Sequence, residues 1–294
     1  MSPSEFIHPE DEAALRQLES IPGFPAFVKA FLSLGFEQLQ YGINMGSSIR
    51  LSEEQLPEVY RHLPPICQKL GISEPEFYLK MDPYPNAWTF GDTRIFVTVT
   101  SGLLETMSED ELDSVIAHEC GHILCHHVLY HSMAQYVLLG IDALGVLGKL
   151  ATIPLQYALL YWYRKSELSS DRAAAVITSP ETVARTMARL AAGPQDITAD
   201  LNLEEWAKQA DEYDSLWKSN TWNKALQMYA IARQSHPFAA VRVREILNWG
   251  KTADFRRIKH SINSNAITDK FCPVCGMPVE DDWTFCKHCG NKLK

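Results

Sequence analysis

No stretch of this chain reaches the ~20 uninterrupted apolar residues that span a bilayer. The longest apolar run, residues 134–163, is broken by Asp142, Lys149 and Pro154. Buried helices, or a hairpin lying on a membrane surface, are expected there rather than two spans. The N-terminus, MSPSEFIHPEDEAALRQLES, has no basic segment leading into an apolar one. A secretory signal is therefore not expected; a cytoplasmic location is, with any membrane contact made through residues 134–163. Net positive charge is missing as well: 27 Lys and Arg stand against 36 Asp and Glu, a net of −9. That balance repels polyphosphate and gives no reason to expect nucleic acid as a partner. Cysteine is scarce and odd in number, seven in all, four of them paired at the extreme C-terminus. In a reducing compartment Cys67, Cys120 and Cys125 are then expected as free thiols.

What the chain does have is apolar content. At 294 residues and 46% hydrophobic, it can bury one or two ordinary cores with room for a small appendage. Residues 10–71 read as helical, with Ser52 as a cap for EEQLPEVYRHL. From residue 76 the pattern changes to short aromatic and β-branched runs, EFYLK, AWTF and RIFVTVT, with a turn at GDT between the last two. These read as a small antiparallel sheet. Ser108 followed by Glu111 is a capping box opening a long helix, whose apolar residues Leu112, Val115, Ile116, Ile123, Leu124 and Val128 spread over most faces. Such a helix is buried nearly all round. Further helices follow over 155–178, 180–192, 203–233 and 237–249, and the polar stretch 250–270 reads as a linker.

Into that buried helix the sequence HECGHILCHHVLYH places five of the ten histidines. His118 and His122 are four apart, so their imidazoles share a face about 6 Å apart along the axis and can grip one tetrahedral ion. Glu119 between them completes His-Glu-x-x-His, with a carboxylate placed to take a proton from metal-activated water. Gly121 would let another backbone approach near the metal. If the helix continued, His126 would lie about 12 Å along the axis from His118, too far for the same ion. His127, Cys120 and His131 fall on the opposite side and read as core or surface groups, with Cys125, on the metal face but beyond His122, as a group that could support a ligand.

A catalytic zinc needs a third protein ligand and an open fourth position. In SELSSDRAA, Glu167 and Asp171 are also four apart on a predicted helix, so one carboxylate could bind metal while the other orients a histidine. Alone, such a pair is ordinarily a solvated face. On their own residues, His236 before Pro237 reads as a turn histidine and Asn86 after Pro85 as a turn residue.

Four segments taken together, NAWTFG at 86–91, HECGH at 118–122, SELSSDRAA at 166–174 and HPFAAVR at 236–242, resemble the gluzincin metallopeptidases of the HtpX and CaaX-prenyl-protease type. The resemblance implies that Glu167 is the third zinc ligand and Asp171 its companion, directed at His118. It implies that His236 stabilises the oxyanion, that Arg242 braces the site, and that Asn86 and Ala87 begin an edge strand that pairs with extended substrate. Unlike the membrane-bound relatives, this chain shows no transmembrane pattern before residue 134.

At the C-terminus Cys272 and Cys275, then Cys286 and Cys289, form two C-x-x-C-G knuckles ten residues apart. The spacing fits a closed four-thiolate zinc ribbon whose fold the metal supplies. Its charges are too balanced for a nucleic-acid patch, so a protein partner is expected. The expected organisation is α+β and mainly helical: a lead-in over 1–75, a zinc metallopeptidase domain over 76–249, a linker over 250–270 and a ribbon over 271–294. The expected function is a zinc-dependent endopeptidase acting on polypeptides, with one catalytic and one structural zinc and a setting in protein quality control. The alternative is a non-proteolytic zinc-binding adaptor or chaperone that uses the ribbon to recruit partners.

Overall fold

The computed structural model describes residues 2–139, 153–219, 239–264, 283–285 and 292. Residues 140–152 of the apolar run, His236 and the four C-terminal cysteines lie outside them. No helix of the described residues is long and apolar enough to cross a membrane.

The helix Glu109–Leu124 runs through the main core. Its start is reciprocal: the Glu111 N–H donates to Ser108 Oγ at 3.4 Å, and the Ser108 N–H donates to the Glu111 carboxylate at 3.0 Å, satisfying two amides that the first turn leaves open. Leu112, Val115, Ile116, Ala117, Cys120 and Leu124 are all buried, and full burial of such a side chain as leucine contributes about 1.5–3 kcal/mol. The helix ends sooner than its periodicity suggests. His126 takes a left-handed φ of +59°, its N–H bonds to Ile123 O at 3.1 Å, and the His127 N–H bonds to His122 O at 2.9 Å. These two bonds make a Schellman turn with histidine in the place usually held by glycine. The chain reverses, and a new helix, Val128–Leu139, begins.

Against the first helix lies Ile153–Ile177, the longest described. Gly121 makes the approach close: a Cβ there would stand 2.9 Å from Ala173 Cβ and 3.0 Å from Ser170 Cα. Leu63–Leu70 covers another face, and Pro180–Ala192 and Ala239–Gly250 pack alongside.

The sheet has four strands, β1 Ile49–Arg50, β2 Glu76–Lys80, β3 Ala87–Gly91 and β4 Ile95–Thr100, in the order β1-β2-β4-β3. The α+β, mainly helical class holds, but the sheet is mixed rather than wholly antiparallel. The expected hairpin β3–β4 forms, turning at Gly91, whose φ of +129° puts an added Cβ 2.0 Å from Arg94 O. Its second strand, β4, then inserts beside β2 in parallel. The reason is the 81–86 loop, which crosses the end of β4. There the Gly102 N–H donates to Asp82 O at 2.9 Å, and Thr100 Oγ1 donates to Tyr84 O at 2.8 Å. Two-residue β1 was too short to leave a pattern.

Two other expectations are corrected. Ser52 does not cap a helix: it bridges Gln55 across a turn, and the helix Pro57–Tyr60 starts only after Leu56, which takes a left-handed φ of +53°. Within the expected linker, residues Ala253–Ser264 form a helix that buries Ile258 and Ile262 in the main core. One apolar stripe is enough to dock an otherwise polar helix.

A second core joins the N-terminal helices Pro9–Glu19 and Phe24–Ser33 to Val128–Leu139 and the first half of Ile153–Ile177, through Leu18, Phe27, Phe31, Met133, Leu159 and Trp162. Because a well-packed core resists added volume, Gly121→Ala should destabilise the protein by about 1–3 kcal/mol. Urea titration checks it: an unchanged or higher midpoint would show that the two helices can part without cost.

Candidate active site

The two histidines of the motif turn their Nε2 atoms toward each other at 3.2 Å. From the neighbouring helix, the Glu167 carboxylate meets both, Oε2 at 3.4 Å from His118 Nε2 and Oε1 at 3.4 Å from His122 Nε2. His122 and Glu167 are buried and His118 nearly so. Three groups that can offer lone pairs converge in this dry place, an arrangement that can hold a cation. Zinc bonds of about 2.0–2.2 Å give a tetrahedron with edges of about 3.3–3.6 Å, and each neighbouring contact here is near that length, the two from Glu167 being made by its two different oxygens. The donor set therefore fits zinc.

Asp171, one turn after Glu167, accepts at Oδ1 from His118 Nδ1 at 3.0 Å. With a metal bound, that bond would hold the His118 proton on Nδ1 and free Nε2 for the ion. Arg242 faces both acids: Nε donates to Asp171 Oδ2 at 2.8 Å, Nη2 to Asp171 Oδ1 at 2.6 Å, and Nη1 reaches Glu167 Oε2 at 3.1 Å. All three groups are at most 5% exposed. Removing Arg242 would leave two buried carboxylates short of compensation, a loss of about 3–5 kcal/mol for a pair of this kind. Burial opposes charge on Asp171, and Arg242 overrides it, holding the carboxyl below its ordinary value.

Glu119 lies beside the pair, buried, and its Oε2 accepts from Thr89 Oγ1 at 2.6 Å. Burial raises its carboxyl above the ordinary value, against the pull of His118 and the Thr89 bond. A raised carboxyl is a better proton acceptor toward water. Thr89 was missed in the sequence. It sits on β3, where strand alternation makes it one inward residue among several.

The cleft beside Glu119 and His118 is lined by Asn86 and Ala87 together with the apolar side chains of Leu103, Val115, Val183 and Met187. β3 is an edge of the sheet. The Thr100 N–H bonds to Asn86 O at 3.0 Å, which sets the phase of pairing, so Ala87, Thr89 and Gly91 turn their amides and carbonyls away from β4. Farther along that edge, Gln135 donates to Thr89 O at 3.4 Å and the Gly91 N–H donates to Ser132 Oγ at 3.0 Å.

His126 is exposed and off the helix, so it lies outside the donor set because the helix has ended and not because of a 12 Å rise. Cys125 is the C-cap residue, buried in the main core. Cys120 packs there too, its sulfur 3.9 Å from that of Cys67; Cys67, Cys120 and Cys125 are free thiols. His127 and His131, expected on the far side, are instead folded back and buried against His122, with ring centroids 5.4 and 4.1 Å from it. The Schellman turn brings them there. Of the C-terminal module, Phe285 and Lys292 form an antiparallel bridge.

Helix-borne histidines, a carboxylate from a second helix and a buried acid beside them define the class of zinc metallopeptidases. The chain belongs to peptidase family M48, whose model matches residues 52–250, and a zinc-ribbon domain model matches residues 271–293. It is 30% identical over 269 residues to the plastoglobule-localized metallopeptidase 48 of Arabidopsis thaliana, covering 90% of this chain and 78% of that one. It is 29% identical over 185 residues to a protease HtpX homolog of Trichormus variabilis, covering 52% and 63%. A protease HtpX homolog of Pelotomaculum thermopropionicum is 33% identical over 111 residues, covering 35% and 40%. The chain thus spans less than two thirds of either HtpX homolog. No solved structure matches. The chain is a zinc metalloprotease with a C-terminal zinc ribbon.

Before metal enters, burial opposes charge on His118, but its bonds to Asp171 and Glu167 override burial and raise it from 6.5 to about 9. Because the folded value lies above the unfolded one, the contribution to stability is complete below pH 6.5 and disappears as pH rises through about 9. The zinc-free protein should therefore lose stability across that window, and His118→Gln should flatten the loss. Denaturant midpoints of both proteins at several pH values check this; parallel curves would overturn it.

Proposed function

We propose that the chain is an endopeptidase whose catalytic zinc is held by His118, His122 and Glu167. The observation that carries this is the convergence of both Nε2 atoms, 3.2 Å apart, on the one Glu167 carboxylate, whose Oε2 and Oε1 stand 3.4 Å from His118 and His122, a three-residue donor set that leaves a fourth position of a zinc tetrahedron open. Zinc, when bound, supplies Lewis acidity toward a water and a peptide carbonyl. Glu119 takes the proton of the attacking water and passes it to the leaving amine. Asp171 fixes the tautomer of His118, and Arg242 keeps Asp171 and Glu167 ionised in their buried place. His236, outside the described residues, is the residue we assign to the developing oxyanion. A site that only stabilised the fold would have no use for a buried base and an open corner.

Substrate is an extended polypeptide. Its backbone pairs with the outer edge of β3 at Ala87, next to Asn86, in the manner of an added strand. Gln135 and Ser132 close that edge beyond, so pairing is confined to the end nearest Glu119. The apolar wall of Leu103, Val115, Val183 and Met187 receives a side chain beside the scissile bond. Cys272, Cys275, Cys286 and Cys289 hold a second, structural zinc, and the ribbon they form offers a surface to a protein partner. Any membrane contact through residues 134–163 is peripheral, since Asp142 and Lys149 would each cost about 2.5–3.5 kcal/mol at a helix centre.

Glu119→Gln should keep zinc and lose peptide hydrolysis, because the amide preserves shape without basicity. Glu167→Ala should lose both, and His126→Ala neither. His236→Phe should keep zinc and slow turnover roughly 100-fold, the loss expected for one oxyanion donor. Metal content and cleavage of an unstructured protein, measured together, decide: hydrolysis by Glu119→Gln at the wild-type rate would end the reading.

The count of ions is a separate test. The intact chain should hold two zinc ions and a Cys272→Ser, Cys275→Ser variant one, because the two ligand sets share no residue. Two ions retained in the variant would show that the division of ligands is wrong.

A further inference from the structure

The proposed metal ligand His122 has a second nitrogen, and the row of groups that leads away from it ends in a part of the chain that the family model does not cover. His122 Nδ1 lies 3.1 Å from His127 Nδ1 and 2.9 Å from Ser170 Oγ. His127 Nε2 in turn lies 3.1 Å from Asp11 Oδ2, on the N-terminal helix Pro9–Glu19, whereas the family match begins at residue 52. His122 and His127 are 3% exposed or less and Asp11 1%, so no solvent competes for these bonds.

Proton placement along this row follows by elimination. A neutral histidine that gives Nε2 to a metal carries its proton on Nδ1. Two protonated Nδ1 atoms cannot face each other at 3.1 Å. His127 Nδ1 must therefore be the acceptor, which puts the His127 proton on Nε2, and that proton points at Asp11. The carboxylate is held for this purpose from other sides: Trp162 Nε1 donates to its Oδ1 at 2.9 Å, and Ser169 Oγ donates to its Oδ2 at 2.5 Å. Burial would raise the Asp11 carboxyl, but the bonds from His127, Ser169 and Trp162 hold it below its ordinary value, so it stays ionised.

We infer that Asp11 and His127 form a positioning relay for the catalytic zinc, in which the N-terminal helix sets the tautomer and ring orientation of His122. The inference rests on His122 being a zinc ligand. It gives each histidine ligand a carboxylate behind it, Asp171 directly for His118 and Asp11 through His127 for His122. His122, His127 and His131 also lie close enough to hold an ion among themselves; in the relay they do not, because His122 Nδ1 is occupied by its proton.

The test is zinc affinity of the full-length chain, by competition with a chromophoric chelator, in a Glu119→Gln background that prevents self-cleavage. The binding phase lost in His122→Ala is the one to follow. Asp11→Asn and His127→Ala should each weaken that phase about 10–100-fold, the effect of losing such a supporting group. Asp11→Glu should recover part of it, and Glu12→Gln, an exposed neighbour on the same helix, should not change it. If the N-terminal helix serves only as packing, Asp11→Asn would lower the melting temperature and leave this affinity unchanged, and the relay is overturned. Nitrogen-15 NMR of histidine in the unmutated, zinc-loaded protein gives a reading that no folding defect can disturb. The proton should reside on Nδ1 of His122 and Nε2 of His127; a His127 protonated at Nδ1 overturns the relay. An additional ion lost on His131→Ala would overturn it in favour of a second metal in the histidine cluster. If His122→Ala abolishes no binding phase, it is the assignment of the zinc ligands that has failed.

Discussion

Everything at the site depends on how closely two helices can approach. Glu109–Leu124 and Ile153–Ile177 meet where Gly121 has no side chain, and Ser170 and Ala173 fill the space a Cβ would take. One methyl group there would push Glu167 away from the histidines. The cluster tolerates little of that, because the Glu167 carboxylate reaches each histidine through a different oxygen at 3.4 Å. A packing contact, apolar and undirected, thus decides whether a directed metal site can exist.

The close approach has an electrostatic cost. It buries Glu167 and Asp171 together, two carboxylates one turn apart on a helix with almost no exposure. Arg242 answers both at once, with two bonds to Asp171 and one contact to Glu167. Such an arrangement adds little to stability compared with an apolar core of equal volume. What it contributes is order: each charged group has one geometry in which all partners are met, and in that geometry His118 turns Nε2 toward His122 and Glu167.

The reversal of the chain after Leu124 has a similar local origin and a distant effect. A histidine in the left-handed region at position 126 ends the helix, and His127 and His131 return beneath His122. Without that turn the same residues would continue along the axis and face away. The second core then brings the N-terminal helix against this cluster, so a residue far from the motif in sequence, Asp11, meets His127 beneath the motif's second histidine.

Much of this was legible in the residues themselves. The His-Glu-x-x-His spacing, the Ser108 cap and the β3–β4 turn depend on intervals of a few residues, where helical and strand periodicity determine which side chains share a face. The resemblance to a peptidase family named Glu167, Asp171 and Arg242, and the fold brings all three to the histidines. Thr89, Asp11, the folded-back His127 and the parallel pairing of β2 with β4 could not be read. Thr89, Asp11 and the strand pairing are contacts between segments distant in sequence, and the fold-back of His127 depends on a left-handed turn at a histidine, which residue type alone does not announce. The helix at 253–264 was obscured for a related reason: its polarity reads as a linker until a core exists for Ile258 and Ile262 to enter. The sequence by itself determined which atoms could hold a metal, because ligand chemistry and helical spacing are local. Only the tertiary structure decided which carboxylate stands behind each histidine, because that depends on how closely separate helices pack.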